Sequence, residues 1–251
     1  MERARGASVG TFYAPGAWRS GERVELDASA ARHASVKRLS PGETVRITNG
    51  AGRRALGVIE ELSKRACIVL IDRGEVEQLQ PPSYVELWAP VGDRERMLML
   101  AEKCVELGLS SWRPIVYARS RSVSPRGEGE SFGEKLRLRQ VSALEQSGGA
   151  WLPAMHAETS LETALAEVES CAPSATVVLD VDGEAIADVM RSGRERMVIA
   201  LGPEGGLEDV ERAAFIAHGW RPASLGHNIL RFETAGIAAL AVLRSLPPSV
   251  P

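Results

Sequence analysis

The spacing of apolar positions changes at about residue 75. Before it, short alternating runs at Arg23-Val24-Glu25-Leu26, Thr44 to Asn49, Ala55 to Glu60 and Cys67 to Asp72 are separated by glycine turns. Alternation with period two marks strands with one buried face, and several such short strands predict a small β-barrel. Ala28 to Leu39 predicts a short helix inserted among them. Residues 76–83, with Pro81-Pro82, break the pattern and read as a linker. Beyond it strands and helices alternate. Strands are expected at 84–90, 113–118, 176–181 and 197–201, and helices at 94–107, 132–146, 161–168, 185–190 and 207–218. Such alternation predicts a mostly parallel sheet covered on both faces. The expected organisation is an α/β chain: a barrel domain over 1–75, a linker over 76–83 and a larger domain over 84–251.

The most informative stretch runs from Val198 to Leu246. Met197 to Leu201 suits a strand buried on both faces. Gly202-Pro203 stops it, because Pro203 fixes φ and lacks an N–H. Gly205-Gly206 permits positive φ and the close approach of another group. In the helix that follows, Val210, Ala213, Ala214 and Ala217 recur at helical spacing, and Gly219 is a natural stop. A second turn, Leu225-Gly226, leads into Ile229-Leu230-Arg231. Two glycine turns of this kind bring bare backbone up to a ligand at the carboxyl edge of a parallel sheet; two ordinary turns of an α/β domain are the alternative. Glu208, Asp209 and Glu211 in the first helical turn argue against a phosphate ligand. The last helix, Thr234 to Leu246, is apolar on nearly every face. It is expected to be partly internal and partly packed on a second subunit, with Gly236 and Ala239 allowing close approach, so a homodimer is predicted; a helix wholly internal to one subunit is the alternative.

Composition adds an asymmetry. The 251 residues carry a net charge of −3, yet residues 1–74 hold 13 Lys and Arg against 8 Asp and Glu, an excess of +5, which leaves −8 for the remainder. A basic amino-terminal part beside an acidic carboxyl-terminal part suits a division between gripping nucleic-acid phosphate and doing chemistry; scattered surface arginines are the alternative. Arg23, Arg32, Arg38, Arg53 and Arg54 are the phosphate-binding candidates there. Arg119 and Arg121 join them from a Ser/Gly/Pro-rich loop that also holds Arg113 and Arg126. Cys67, Cys104 and Cys171 are too widely spaced to suggest a disulfide framework or a metal site, so no metal is expected. No apolar run is long enough to cross a membrane, and the first residues lack a signal-peptide pattern, so a cytoplasmic location is expected.

Leu-Gly-Pro-Glu-Gly-Gly at 201–206, Glu211, and Leu225-Gly226-x-x-Ile229-Leu230-Arg231-x-Glu233-Thr234-Ala235 together resemble the signature of the bacterial 16S ribosomal RNA uridine-N3 methyltransferases. These belong to the SPOUT (trefoil-knot) methyltransferases. Upstream, Glu102-Lys103 and Glu106-Leu107-Gly108, then Glu145-Gln146-Ser147-Gly148, then His33, Val36, Arg38 and Pro41-Gly42-Glu43 are similar to further family elements. Three positions depart from it. Gly149 and Asn228 stand where the family has arginine, and Glu208 replaces a helix-capping serine, which weakens the N-cap. The two absent arginines bear on RNA contact or dimer pairing more than on cofactor binding.

The resemblance implies a PUA-like RNA-binding barrel followed by a SPOUT domain with a carboxyl-terminal knot. It implies methyl transfer from S-adenosylmethionine to N3 of a uridine in 16S ribosomal RNA of the small subunit, by an obligate homodimer. The alternatives are a SPOUT enzyme acting at another RNA site and a non-catalytic RNA-binding relative. By the same resemblance Leu201, Gly202, Pro203, Glu204, Gly205, Gly206, Ser224, Leu225, Gly226, Asn228, Ile229 and Leu230 form the cofactor pocket, largely through backbone. Arg231 either contacts uridine or its phosphate, or pairs with Glu233 or Glu204. Glu204 either orients its loop or helps deprotonate N3. His227 reads as a loop histidine, with a base role as its alternative.

Overall fold

The computed structural model describes residues 9–63, 66–72, 74, 76–120, 129–170, 175–190 and 196–246. Arg121, Arg126 and Cys171 lie outside them. The chain divides into two units: residues up to Pro81 together with Val141–Leu152, and Pro82–Gln140 together with Pro153 onward.

In the first unit, β1 (Thr11–Tyr13), β2 (Arg23–Leu26), β3 (Thr44–Thr48), β4 (Arg53–Leu62), β5 (Cys67–Ile71) and β6 (Glu77–Gln78) form one sheet. Its order is β1-β3-β4-β5-β2, with β6 on β4. Only β1 and β3 run parallel; the other pairs are antiparallel. The period-two pattern points Val45, Ile47, Ile59, Val69 and Ile71 into a common core, which α1 (Ala28–Val36) closes with Ala30, Ala31 and Ala34. Asp27 caps α1 by accepting the Ala30 N–H at 2.8 Å. β6 lies inside the stretch read as linker: Glu77-Gln78 pairs with Arg53-Arg54, and the boundary between units falls at Pro81/Pro82.

The first unit also takes in a segment the sequence reading placed within 84–251. Helix α3 (Gly129–Ser147) is divided, its last turns belonging with the amino-terminal sheet. Glu145 accepts the Tyr13 N–H at 2.9 Å and contacts His33 Nδ1 at 3.0 Å, so two motifs far apart in sequence meet here. The Trp151 ring lies over Gly52, where a Cβ would come within 2.2 Å of it.

The second unit is built on β7 (Tyr84–Pro90), β8 (Ser111–Val116), β9 (Ala154–Met155), β10 (Thr159–Ser160), β11 (Ala175–Ala185), β12 (Arg196–Ala200) and β13 (Arg221–Ser224). All pairings are parallel, in the order β10-β8-β7-β12-β11-β13 with β9 on β8. Helices α2 (Arg94–Glu106), α4 (Leu161–Ser170), α5 (Ile186–Val189), α6 (Asp209–Ala217) and α7 (Phe232–Ser245) accompany the first part of α3. One core holds Leu87, Met97, Leu100, Trp112, Ile199 and Leu240. A second joins Trp88, Phe215 and Trp220, whose rings stack at 4.6–6.3 Å between centroids.

Two sequence expectations about helix faces are corrected. On α6 the buried residues are Glu211 and Phe215, while Val210 is 70 % exposed and Ala213 and Ala217 are exposed. The carboxylate decides this: buried Glu211 accepts the N–H groups of Ala118 and Glu208, each at 2.8 Å. The same bond secures the helix start that Glu208 was expected to weaken. On α7, Gly236 and Ala239, expected to let a second subunit approach, are buried against the chain's own core. A Cβ on Gly236 would stand 2.8 Å from Leu100 Cδ1 and 2.9 Å from Leu201 Cδ1.

Candidate active site

Three adjacent strands end at one place. The loop after β12 (201–208), the loop after β13 (225–231) and the outward turn in β11 border a cavity of about 390 Å³. A ligand site at the carboxyl ends of neighbouring strands is what a parallel α/β sheet provides. The turn in β11 exists because pairing with β13 jumps from Leu179 to Glu184. Gly183 makes the jump possible: a Cβ there would lie 2.5 Å from the Ala223 nitrogen.

The cavity wall includes Leu201, Gly202, Pro203, Glu204 and Gly206 from the first predicted turn. From the second come Ser224, Leu225, Gly226, Asn228, Ile229, Leu230 and Arg231. Gly206 and Gly226 take φ of +73° and +130°, and both have open space where a side chain would project. Gly205 sits behind the wall; its carbonyl accepts from Arg119 Nη1 at 2.9 Å. Arg119, with a second contact to Glu208 at 3.4 Å, therefore braces this loop. His227 is exposed and lies off the wall.

The wall also holds residues that sequence reasoning missed: Leu179, Asp180, Val181, Arg96, Arg212, Phe232 and Ala235. Asp180-Val181-Asp182-Gly183 repeats the signal used elsewhere, an apolar run ended by a glycine turn, and would have pointed to the β11 side. Arg96 and Arg212 carry no such local sign. Arg212 pairs with Asp180 on one side of the cavity, and Arg96 pairs with Glu204 on the other. Arg96 Nε also lies 3.9 Å from Glu233, whose side chain is 7 % exposed and whose Oε2 has no hydrogen-bond partner. The ion-pair alternative for Arg231 is thus taken by Arg96. Arg231, exposed at the N-cap of α7, makes no ion pair among the described residues.

The amino-terminal arginines divide. Arg23 binds Glu60 at 2.6 Å and Arg54 binds Glu77 at 2.7 Å. Arg53 donates to the Trp18 carbonyl at 2.8 Å and lies over its ring. Arg32 and Arg38 are exposed.

Fold and site together define an α/β enzyme with a ligand cavity at the carboxyl edge of a parallel sheet and a separate PUA-like unit. Residues 80–244 match the RNA methyltransferase domain and residues 26–72 the RNA methyltransferase PUA domain; the chain belongs to this RNA methyltransferase family. It is 28 % identical over 217 residues to the ribosomal RNA small subunit methyltransferase E of Mycobacterium bovis, covering 84 % of this chain and 81 % of that protein. Among solved structures, it resembles a methyltransferase from Legionella pneumophila in complex with S-adenosylmethionine, with TM-score 0.85 and 27 % identity over 95 % of this chain and 98 % of the other. The fold is likewise that of the ribosomal RNA small subunit methyltransferase E from Neisseria gonorrhoeae, with TM-score 0.84 and 24 % identity over 95 % and 98 % of the two chains.

Proposed function

We propose that this protein transfers the methyl group of S-adenosylmethionine to N3 of a uridine in 16S ribosomal RNA of the small subunit. The observation that carries the reading is the cavity between the 201–207 and 225–231 loops, in a chain of this family. The residues suit the cofactor. Leu179, Leu201, Leu225 and Phe232 offer apolar walls for its adenine, and Gly206 and Gly226 leave backbone bare with space in front. Asp180 and Glu204 set carboxylate oxygens on the wall, each paired with an arginine, Arg212 and Arg96. Bound there, the cofactor supplies an activated methyl on a sulfonium.

The chain's own work is to position and to manage charge. N3–H is a weak acid, and its loss leaves an anion spread over the uracil oxygens. Arg231, at the cavity edge without an ion pair among the described residues, stabilises that charge as it develops. Glu204, held by Arg96, orients the cofactor loop. N3 is hidden in stacked or paired RNA, so the base must be splayed out.

The RNA grip belongs to the PUA-like unit. The enzyme works as a homodimer: Ala241 is exposed and Ile237, Ala238 and Val242 are partly exposed along α7, an apolar strip that a second copy would cover. No described helix is long and apolar enough to cross a membrane, and a ribosomal substrate places the enzyme in the cytoplasm. The test is methyl transfer from labelled S-adenosylmethionine to small subunits from a strain lacking the gene, with the product nucleotide mapped. N3-methyluridine at one position supports the proposal; label on another atom or in another RNA refutes it.

A further inference from the structure

Asp180, in the outward turn of β11, and Arg212, on α6, form an ion pair on the cavity wall. The Asp180 side chain is 13 % exposed and that of Arg212 45 %. A second bond fixes the carboxylate: Asp180 Oδ1 accepts the Asp182 N–H at 3.2 Å, while Oδ2 faces Arg212 Nη1. The turn itself is made by the register jump from Leu179 to Glu184 and by Gly183. Stability is a weak reason for the pair, because an ion pair with a half-exposed partner contributes little.

The two bonds orient the carboxylate and leave bonding capacity over. An ionised carboxylate has about four acceptor sites, and a guanidinium carries five donors in a fixed plane. Among the described residues these side chains engage only each other and the Asp182 N–H. The remaining sites border a cavity.

Three parts of S-adenosylmethionine compete for this corner, and charge separates them. Adenine needs apolar surface, which Leu179, Leu201, Leu225 and Phe232 supply. The amino-acid end carries an ammonium and a carboxylate, and would have to pull Asp180 and Arg212 apart to pair with each. Ribose carries two neutral hydroxyls, each both donor and acceptor. They can donate to Asp180 and accept from Arg212 with the ion pair intact. Position agrees: Asp180 directly follows Leu179, so its carboxylate borders the wall assigned to adenine, and ribose is the group bonded to adenine.

We infer that Asp180, held by Arg212 and the Asp182 N–H, is the ribose subsite of the cavity, accepting hydrogen bonds from the vicinal diol. A carboxylate already neutralised by an arginine does not favour the sulfonium, so S-adenosylmethionine and its product S-adenosylhomocysteine share this contact. The inference rests on the methyltransferase reading.

Calorimetry on the whole protein tests it with S-adenosylhomocysteine, 5′-methylthioadenosine, which lacks the amino-acid end, and the 2′-deoxy and 3′-deoxy forms of the latter. The unmodified protein should bind 5′-methylthioadenosine on the order of 10-fold more tightly than at least one deoxy form, the size of one hydrogen bond to a charged group. In Asp180→Ala that preference should vanish, with S-adenosylhomocysteine and 5′-methylthioadenosine weakened alike by about 10-fold. Asp180→Asn, of the same volume, should lose part of the preference and covers a failure of the alanine variant to fold. Asp182→Ala alters an exposed side chain off the wall and keeps the N–H; it should bind every ligand as the unmodified protein does. A ribose preference that survives unchanged in the Asp180 variants overturns the proposal. So does a loss confined to S-adenosylhomocysteine, which would assign the carboxylate to the amino-acid end. Either result, with S-adenosylmethionine bound by the unmodified protein, sinks this subsite alone. An unmodified protein that binds neither S-adenosylmethionine nor S-adenosylhomocysteine sinks the methyltransferase reading with it.

Discussion

Arg96→Ala should weaken S-adenosylmethionine binding and lower stability together. The side chain joins two carboxylates, Glu204 on the cofactor loop and Glu233 at the start of the helix behind Arg231. Its charge-assisted bond to Glu204 is worth about 1.5–3 kcal/mol. The Glu204 side chain is 23 % and Arg96 31 % exposed, so the lower half of that range applies to the loop. At 3.9 Å from Glu233 the gross attraction is about 4 kcal/mol at an effective dielectric of 20, most of it offsetting the cost of burying that carboxylate. Removing Arg96 leaves Glu233 buried with its own Oε2 unbonded, a change that mutational precedent sets near 3–5 kcal/mol when burial is complete. The expectation is a 10-fold rise in the cofactor Kd, about 1.4 kcal/mol, with a urea midpoint lower by about 2 kcal/mol of stability. Arg96→Lys should recover the stability but only part of the affinity, because an ammonium lacks the guanidinium's planar fork. Calorimetry on Arg96→Ala, Glu204→Gln and the double variant supplies a coupling energy. If Arg96→Ala binds cofactor and unfolds like the unmodified protein, the bridge is a surface ion pair of no consequence and the reasoning fails.

Gly226→Val, at φ +130° on the cavity wall, should abolish cofactor binding while the amino-terminal sheet stays folded by circular dichroism; unchanged affinity would place the cofactor elsewhere. Buried Glu86 tests the electrostatics: burial alone would raise its pKa, but hydrogen bonds from Arg113 and Trp88 hold it below the ordinary value. A carboxyl depressed in the folded state adds stability above its unfolded pKa and loses it as pH falls through the folded one. Arg113→Met should therefore cost about 3–5 kcal/mol at neutral pH, with the gap to the unmodified protein narrowing in acid; a pH-independent gap in urea midpoints would refute this. Ala241→Arg, on the exposed side of α7, should produce monomers with normal melting, and light scattering that finds the unmodified protein already monomeric refutes the dimer. For the buried thiols, burial raises the pKa of Cys67 and Cys104, so both should resist alkylation in the native state.

Periodicity along the chain determined where most strands and helices lie, because burial of alternate residues or of one helical stripe is written within a few neighbours. The two glycine turns were legible for the same reason: Gly202-Pro203 and Gly226 carry their backbone consequences with them, and both loops line the cavity. What the turns face was not legible. Arg96 and Glu204 are 108 residues apart, Glu145 and His33 are 112 apart, and no spacing rule reaches that far. The α6 stripe misled because small alanines tolerate either face, while Glu211 was drawn inward by two backbone N–H groups, that of Ala118 on another segment and that of Glu208 at the cap of its own helix. Gly236 and Ala239 were read as a subunit contact, yet Leu100 and Leu201 close on that helix from within the chain. Which arginines remain free was likewise a tertiary outcome: Arg23 and Arg54 look like Arg32 and Arg38 in sequence, and only strand pairing sets Glu60 and Glu77 beside the first two. A residue's own chemistry is local, but the partner that neutralises it arrives through the fold.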